Sequence, residues 1–376
     1  VRVLIAFDKF KDALTARQAG ETVAAALRTK HPDWQLDICP LTDGGEGFCE
    51  TLTQAAKGRL DYVEVSGPRG AGVKAPVGLV DQENIPATVR HRLRAGKRLA
   101  IIDLASASGI GLLAPDQRDP WLATTCGTGE LMRHATGQNA DAILLGVGGS
   151  ATNDLGLGAL AALGFSFRRG AVELYPPLPD TWEQMSRIDT SRATKLPPVF
   201  IACDVTNPLL GLHGATATFG PQKGLKPDDA PRLETQVARM AALLCEACGQ
   251  PHSLAEIPGT GAAGGFPFGL MAGYGAQLVP GFELVSDWLD LPARLATADL
   301  VLTGEGRFDA TSLQGKGPGS LVAEACRLGK PVHVFAGSLG VPADGFHHAI
   351  TPAGMPLAKA LPRTAELLAA TVGRVL

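Results

Sequence analysis

The chain has 376 residues, with 34 basic and 37 acidic side chains and a net charge of −3. That length suits two domains, each able to bury a core without disulfides or a structural metal. The near balance of charge, with no long run of either sign, disfavours nucleic acid and anionic membrane surfaces as partners; 46 Gly and 27 Pro make the chain loop-rich but not of low complexity.

In chain order, the apolar run Val1–Ala6 predicts a buried strand that ends in Asp8, Lys9 and Lys11. Thr15 with Gln18 three residues on forms a capping-box pattern, and Ala19, Val23, Ala26 and Leu27 follow at helical spacing. Asp8 and Lys9 interrupt any signal-peptide pattern, and no apolar stretch approaches the ~18 residues that span a bilayer. Seven cysteines scattered through apolar contexts suit a reducing compartment, so a cytoplasmic location is expected. Asp43-Gly44-Gly45-Glu46-Gly47 sets two carboxylates among glycines, a pattern that suits a hard cation such as Mg²⁺; the alternative is a turn before an acidic first helical turn, but three glycines exceed what a cap requires. Tyr62–Val65 and Val73–Val80 flank a turn cluster at Ser66–Gly70 and predict a hairpin, where the chain is expected to leave its first domain.

Gly127-Thr128-Gly129-Glu130 reads as capping of a helix from Leu131. The run Ala142–Val147 ends in Gly148, Gly149 and Ser150, and Gly146, Gly148 and Ala151 fit G-x-G-x-x-A, with Glu173 placed as a ribose ligand of a dinucleotide. Tyr175–Pro179 reads as a proline-rich loop. Val199–Ala202 ends in Cys203, Asp204, Thr206 and Asn207, and Phe219–Gly224 holds Lys223 in a Gly/Pro loop. Arg232–Gly249 predicts a helix with Leu233, Val237, Met240 and Leu244 on one side; Cys245 and Cys248 then belong to its core rather than to a zinc site. Leu300–Thr303 ends in Gly304-Glu305-Gly306-Arg307 and is followed by Asp309 and Gly315-Lys316; Val332–Ala336 ends in Gly337 and Ser338.

Five apolar runs thus end in Gly, Asp, Asn, Ser or Arg. In open parallel sheets, ligands bind beyond the carboxyl ends of the strands. Lys11, Lys223, Arg307 and Lys316 together could neutralise phosphate oxygens. The Walker loop is missing, because Gly315-Lys316 lacks the upstream glycine and the following hydroxyl; the protein-kinase elements and G-x-S-x-G are missing too. None of the eight histidines, the pair His347-His348 included, lies in a recognisable catalytic setting.

Taken together, these strings resemble the bacterial class I glycerate kinase family almost end to end. Ala6-Phe7-Asp8-Lys9-Phe10-Lys11-Asp12-Ala13-Leu14-Thr15-Ala16 stands where that family has a variant of A-P-D-S-F-K-G-S-L-S/T-A. The family's D-G-G-E-G matches Asp43–Gly47, its G-G-S-A-T-N-D matches Gly148–Asp154, and its C-D-V-x-N-P-L matches Cys203–Leu209. F-G-P-Q-K-G at Phe219–Gly224, G-A-A-G-G at Gly261–Gly265, T-G-E-G-R at Thr303–Arg307 and A-G-S at Ala336–Ser338 follow in order. The chain departs from the family at Asp12 and Ala13 (usually Gly and Ser), at Leu155, at Ala310-Thr311-Ser312, between Asp81 and Arg98, and between Arg169 and Met185.

The resemblance implies an ATP-dependent kinase of D-glycerate, usually giving 2-phosphoglycerate, with Mg²⁺ as cofactor. It also implies two α/β domains with the active site in their cleft: a Rossmann-like domain from residues 1–66 plus 286–376, and a flavodoxin-like one, 67–285, inserted between. On this basis Asp43 and Glu46 are expected to hold the metal. Lys11, Arg307 and Lys223 are expected on the phosphoryl oxygens, and Asp204 is expected to accept the glycerate hydroxyl proton. Ser150, Asn153 and Asn207 would contact the substrate, with Asp8, Gly148, Gly149, Gly304, Glu305 and Lys316 completing the binding loops. A homodimer is compatible with this picture. The alternatives are an NAD(P)-dependent oxidoreductase of a small hydroxy acid, using Gly146–Ala151 and Glu173, and a non-catalytic hydroxy-acid sensor on the same fold.

Overall fold

The apolar run at the start of the chain forms a strand, β1 (Arg2–Phe7), in which every residue after Arg2 is buried. A strand buried on both faces needs parallel neighbours, with helices over both sides of its sheet. The computed structural model describes residues 1–93, 96–310, 312, 317–342 and 345–376. It divides into two units, Val1–Asp43 with Phe282–Leu376, and Gly44–Gly281. After β1 the first unit holds β2 (Gln35–Ile38). The second contributes β3 (Arg59–Ser66), β4 (Gly72–Asp81), β5 (Arg98–Asp103), β6 (Ala142–Gly146), β7 (Ser166–Arg169), β8 (Val172–Leu174), β9 (Arg187–Asp189), β10 (Val199–Ala202) and β11 (Gln277–Val279). The chain then returns to the first unit for β12 (Leu300–Phe308), β13 (Val332–Leu339) and β14 (His347–Ala349).

The sheet of the first unit is wholly parallel, in the order β14-β13-β12-β1-β2. Counted along the unit's own chain this is 2-1-3-4-5, so the direction of winding reverses between β1 and β12. Ligands of doubly wound sheets bind at such a reversal. Helix Ala16–Lys30 covers β1 because its start and its stripe agree. The Thr15 hydroxyl accepts from Gln18 N–H at 3.2 Å, and the Gln18 side chain accepts from Thr15 N–H at 2.9 Å. Its buried face, with Ala19, Val23 and Leu27, joins Val3, Ile5, Phe7, Leu302, Phe335 and Leu368 in one core. Each of the larger side chains contributes about 1.5–3 kcal/mol by leaving water.

The larger sheet of the second unit runs β11-β10-β6-β5-β4-β3. The hairpin β3–β4 is antiparallel, in register from Arg59 opposite Leu79 to Ser66 opposite Gly72, as the alternation predicted. β4 joins β5 antiparallel, and β5, β6, β10 and β11 are parallel. A separate antiparallel ribbon, β8-β7-β9, stands apart from this sheet.

The two α/β domains, one assembled from both chain ends, are as expected; three details differ. It is the first unit that has the 2-1-3-4-5 order of flavodoxin-like sheets, while the inserted unit takes its strands in chain order without a reversal. The chain passes between units at Asp43, not Ser66, because the hairpin β3–β4 is stitched through β5 into the second sheet; it returns at Phe282. The helix expected from Leu131 starts at Cys126, so Gly127 and Gly129 lie inside it. A Cβ on Gly127 would lie 1.8 Å from the Ser66 carbonyl oxygen and one on Gly129 2.4 Å from that of Ala159, so these glycines admit neighbouring backbone rather than cap a helix. Helix Ala230–Cys248 carries Leu233, Val237, Met240, Leu244 and Cys245 inward, and all seven cysteines are free.

Candidate active site

In the first unit, chemistry collects where β1 and β12 end side by side. Phe7 lies opposite Gly304, and Asp8 N–H donates to the Gly304 carbonyl at 2.9 Å. On its other side β12 approaches β13 so closely that a Cβ on Gly304 would lie 1.8 Å from the carbonyl oxygen of Phe335. Asp8 is buried at this junction. Burial pushes its carboxyl up to about 6, against the nearby Lys9 ammonium and with Asp43 adding repulsion. Lys9 Nζ stands 3.4 Å from Asp43 Oδ1 and 3.9 Å from Asp8 Oδ1. Glu305, on β12, is likewise lifted to about 7 by burial; the Ser312 hydroxyl opposes the shift, and Asp8, Asp43 and Asp309 add to it. Its Oε1 is buried without a hydrogen-bond partner.

Of the cations proposed for phosphate, Lys11 follows β1 and Arg307 lies near the end of β12. Arg307 is 71% exposed, and its Nε lies 3.0 Å from Asp309 Oδ2. Lys11 is exposed in a tight turn that Phe10 and Leu14 close by donating to each other's carbonyls at 2.9 Å. Asp12, the departure from the family pattern, occupies that turn with φ 60°. This left-handed conformation explains why glycine is the family's usual choice there; Asp is one of the few other residues that tolerate it. Lys316, with Gly315 and Thr311, lies outside the described residues.

In the second unit the loop after β6 runs from an exposed tip at Gly149 into a fully buried stretch, Ala151–Asp154. Gly148 N–H donates to the Gly44 carbonyl at 3.0 Å, and a Cβ on Gly148 would lie 2.9 Å from Gly45 Cα. Asp154 anchors the loop: its carboxylate accepts from Thr125 N–H (2.7 Å), Thr125 Oγ1 (2.8 Å), Gly156 N–H (3.2 Å) and Gly158 N–H (3.2 Å). Burial nevertheless holds its pKa above the ordinary range. Lys223, only 1% exposed, donates from Nζ to Ser150 Oγ at 2.9 Å and to the Thr152 carbonyl at 2.6 Å. Burial pulls its pKa down to about 7, with Asp154 opposing. Asn153 Nδ2 lies 3.4 Å from Thr216 Oγ1, while Asn153 Oδ1 and Thr152 Oγ1 are buried without partners.

Asp204 and Asn207 follow β10. Asp204 is exposed, and its Oδ1 accepts from Gly281 N–H at 2.8 Å. Asn207 Nδ2 donates to the His213 carbonyl at 2.7 Å and to Thr218 Oγ1 at 3.3 Å. Glu46 is exposed in the turn before helix Phe48–Ala55. The dinucleotide alternative loses its geometry here. The helix after the Gly146–Ala151 loop starts only at Leu157, and Glu173 lies on the antiparallel ribbon opposite Arg168.

Residues 3–376 match the glycerate kinase family. The chain belongs to it. It is 36% identical over 355 residues to a glycerate kinase of Halalkalibacterium halodurans, covering 93% of this chain and 89% of that one. It is 35% identical over 350 residues to the glycerate 2-kinase of Escherichia coli, covering 90% and 86%. A crystal structure described as glycerate kinase 2 of Salmonella typhimurium superposes with a TM-score of 0.77 at 38% identity, covering all of this chain and 97% of the other.

For a kinase of this family the carboxyl cluster poses a question of charge. Ionised Asp8 and Glu305 would repel phosphate unless a cation stood between them and it. Among the described residues no three His, Cys, Asp or Glu side chains converge on one metal position. Mg²⁺ does not require that, because it keeps several waters and takes one or two carboxylates plus the phosphates of its nucleotide. Asp43 and the unsatisfied Oε1 of Glu305 fit such partial ligation. Sequence reasoning missed Lys9, which stands next to Asp8 in the string and was passed over for Lys11. It also missed Asp154 and Thr125, whose importance depends on a contact between distant segments.

Proposed function

We propose that this protein transfers the γ-phosphoryl group of ATP to the 2-hydroxyl of D-glycerate. The observation that carries the reading is the match to glycerate kinases along the whole chain, with the polar strand-end loops intact. The 2-position follows the relative named glycerate 2-kinase.

Phosphoryl transfer is mostly positioning and charge neutralisation. The first unit serves the nucleotide. Arg307 and Lys11, with Lys316, meet phosphoryl oxygens, and Gly304 lets the β12 and β13 backbones come close. Asp43 is the carboxylate for Mg²⁺, with Glu305 as a further oxygen donor. Bound there with ATP, the ion would neutralise phosphate charge. The second unit serves the acceptor. Gly148 and Gly149 form the accessible tip of its loop; Ser150 and Asn153 line it. Asn207 has its amide nitrogen committed to the chain, which leaves Oδ1 for a substrate hydroxyl. Asp204 takes the proton from that hydroxyl as the O–P bond forms. Lys223 spends its hydrogen bonds on the loop itself, so its part lies there rather than on phosphate. The free cysteines suit a reducing cytoplasm, and among the described residues no helix is long and apolar enough to cross a membrane.

An ATP/Mg²⁺ turnover assay with D-glycerate, read by phosphorus NMR, tests the reading. The expected product is 2-phosphoglycerate, with turnover abolished by a chelator and restored by Mg²⁺. No product from folded, ATP-binding protein would sink the proposal and favour a hydroxy-acid sensor. Asp204→Asn is expected to lower kcat about a hundredfold or more at unchanged ATP affinity. Near-normal turnover would remove Asp204 as the base.

A further inference from the structure

The loop after β6 holds a charged group that the transfer itself does not consume. Lys223 is buried, and its two hydrogen bonds go to neutral oxygens, Ser150 Oγ and the Thr152 carbonyl. An ammonium can only donate. Ser150 Oγ is therefore the acceptor in that bond, and its own hydrogen must point away from Nζ. Beside it, Thr152 Oγ1 and Asn153 Oδ1 are buried without partners, a cost that a loop serving only the fold has no reason to carry.

We propose that Lys223 is a positioning residue for the acceptor, fixing the Ser150 hydroxyl so that its hydrogen is offered to the carboxylate of the bound hydroxy acid. This deepens the glycerate kinase reading and rests on it. Ser150 supplies the contact with the substrate, and Lys223 acts through Ser150. Among the described residues no carboxylate lies within ion-pair distance of Lys223. Asp154, in the same loop, is the carboxylate near enough to raise its pKa, and its oxygens are engaged by Thr125, Gly156 and Gly158. Helix Ala215–Phe219 brings no charged side chain; the segment at Arg118 abuts Gly224, one residue beyond Lys223.

The arrangement has two settings. Protonated, Lys223 donates to Ser150, and the serine hydrogen faces the ligand. Deprotonated, Nζ becomes an acceptor for that same hydrogen, and Ser150 loses its donor function. Because burial draws the lysine down to about 7, the change falls in a range where the enzyme can be assayed.

The experiment is steady-state turnover against D-glycerate concentration at saturating ATP, from pH 6 to 9, for the wild type, Ser150→Ala, Lys223→Met and Lys223→Arg. Calorimetric D-glycerate binding without ATP and a thermal unfolding check run alongside. Ser150→Ala and Lys223→Met are expected to raise the KM for glycerate about tenfold at pH 6.5, with kcat falling less than threefold. Lys223→Arg should recover part of the loss. The wild-type KM should climb as pH rises above about 7, and that climb should be absent in Ser150→Ala. An unchanged KM and pH profile in Ser150→Ala would overturn the proposal even if Lys223→Met failed to fold, and so would a loss confined to kcat. A wild type that neither binds nor phosphorylates glycerate would instead overturn the kinase reading, and this inference with it.

Discussion

The strand-end clusters of the two units look alike as sequence, each an apolar run ending in glycines and polar residues, yet they face opposite electrostatic problems. Around β1 and β12, the carboxyls of Asp8 and Asp43 crowd about one lysine with Glu305 near enough to feel their charge, and burial drives Asp8 and Glu305 toward the neutral form. After β6, one lysine is buried among neutral oxygens and driven toward its own neutral form. The first arrangement calls for a cation to arrive with the ligand. The second already holds its charge and calls for an anion. A kinase of a small hydroxy acid needs both.

The largest effect separates how tightly the two clusters are built. An alanine at Gly304 would put Cβ 1.8 Å from a backbone oxygen that three packed strands hold in place, whereas at Gly148 the nearest atom is 2.9 Å away, in a turn. Gly304→Ala is expected to cost about 3 kcal/mol or more and Gly148→Ala nearer 1 kcal/mol, measured by urea unfolding. Equal costs would mean that the strand junction is no more rigid than the loop.

Next comes pH. Asp8 is lifted from 3.8 to about 6, so the folded chain holds that proton more tightly than the unfolded one. The associated stability is full below pH 3.8 and lost as pH rises through 6. Lys223 is lowered from 10.5 to about 7, so its contribution is full above pH 10.5 and lost as pH falls through 7. Each group bends the stability curve by at most about 1.4 kcal/mol per pH unit. Asp8→Asn should flatten the descent between pH 4 and 6, and Lys223→Met the ascent between 7 and 10. Melting curves across that range decide it; the same slope in wild type and variant would mean that the group titrates alike folded and unfolded.

Much of this was legible in the chain. The hairpin at Ser66–Gly70, the capped helix after Thr15 and the strands Ala142–Gly146 and Val199–Ala202 follow from local period and turn chemistry, which act over a few residues. The point at which the chain changes units was not, because β3 and β4 are assigned by pairing with β5, a choice made by the whole sheet. Nor was the standing of Asp154, whose partner Thr125 lies far back in the chain. Motif strings locate a loop; they do not say which of its polar groups face each other.

The smallest effect concerns one of the places where the first cluster departs from its family. Asp12 adopts φ 60° in the turn that carries Lys11, a conformation that costs a residue with a Cβ energy that glycine does not bear. Asp12→Gly exchanges that strain for a more flexible unfolded chain, two terms of opposite sign. The first should prevail by about 0.5 kcal/mol, a small rise in melting temperature. Turnover separates two roles. If Asp12 serves only the turn, kcat and both KM values stay within twofold of wild type. A drop in the KM for ATP on removing the carboxylate would show that Asp12 had been repelling phosphate beside Lys11, so that in this chain the negative charge of the first cluster extends into the loop itself.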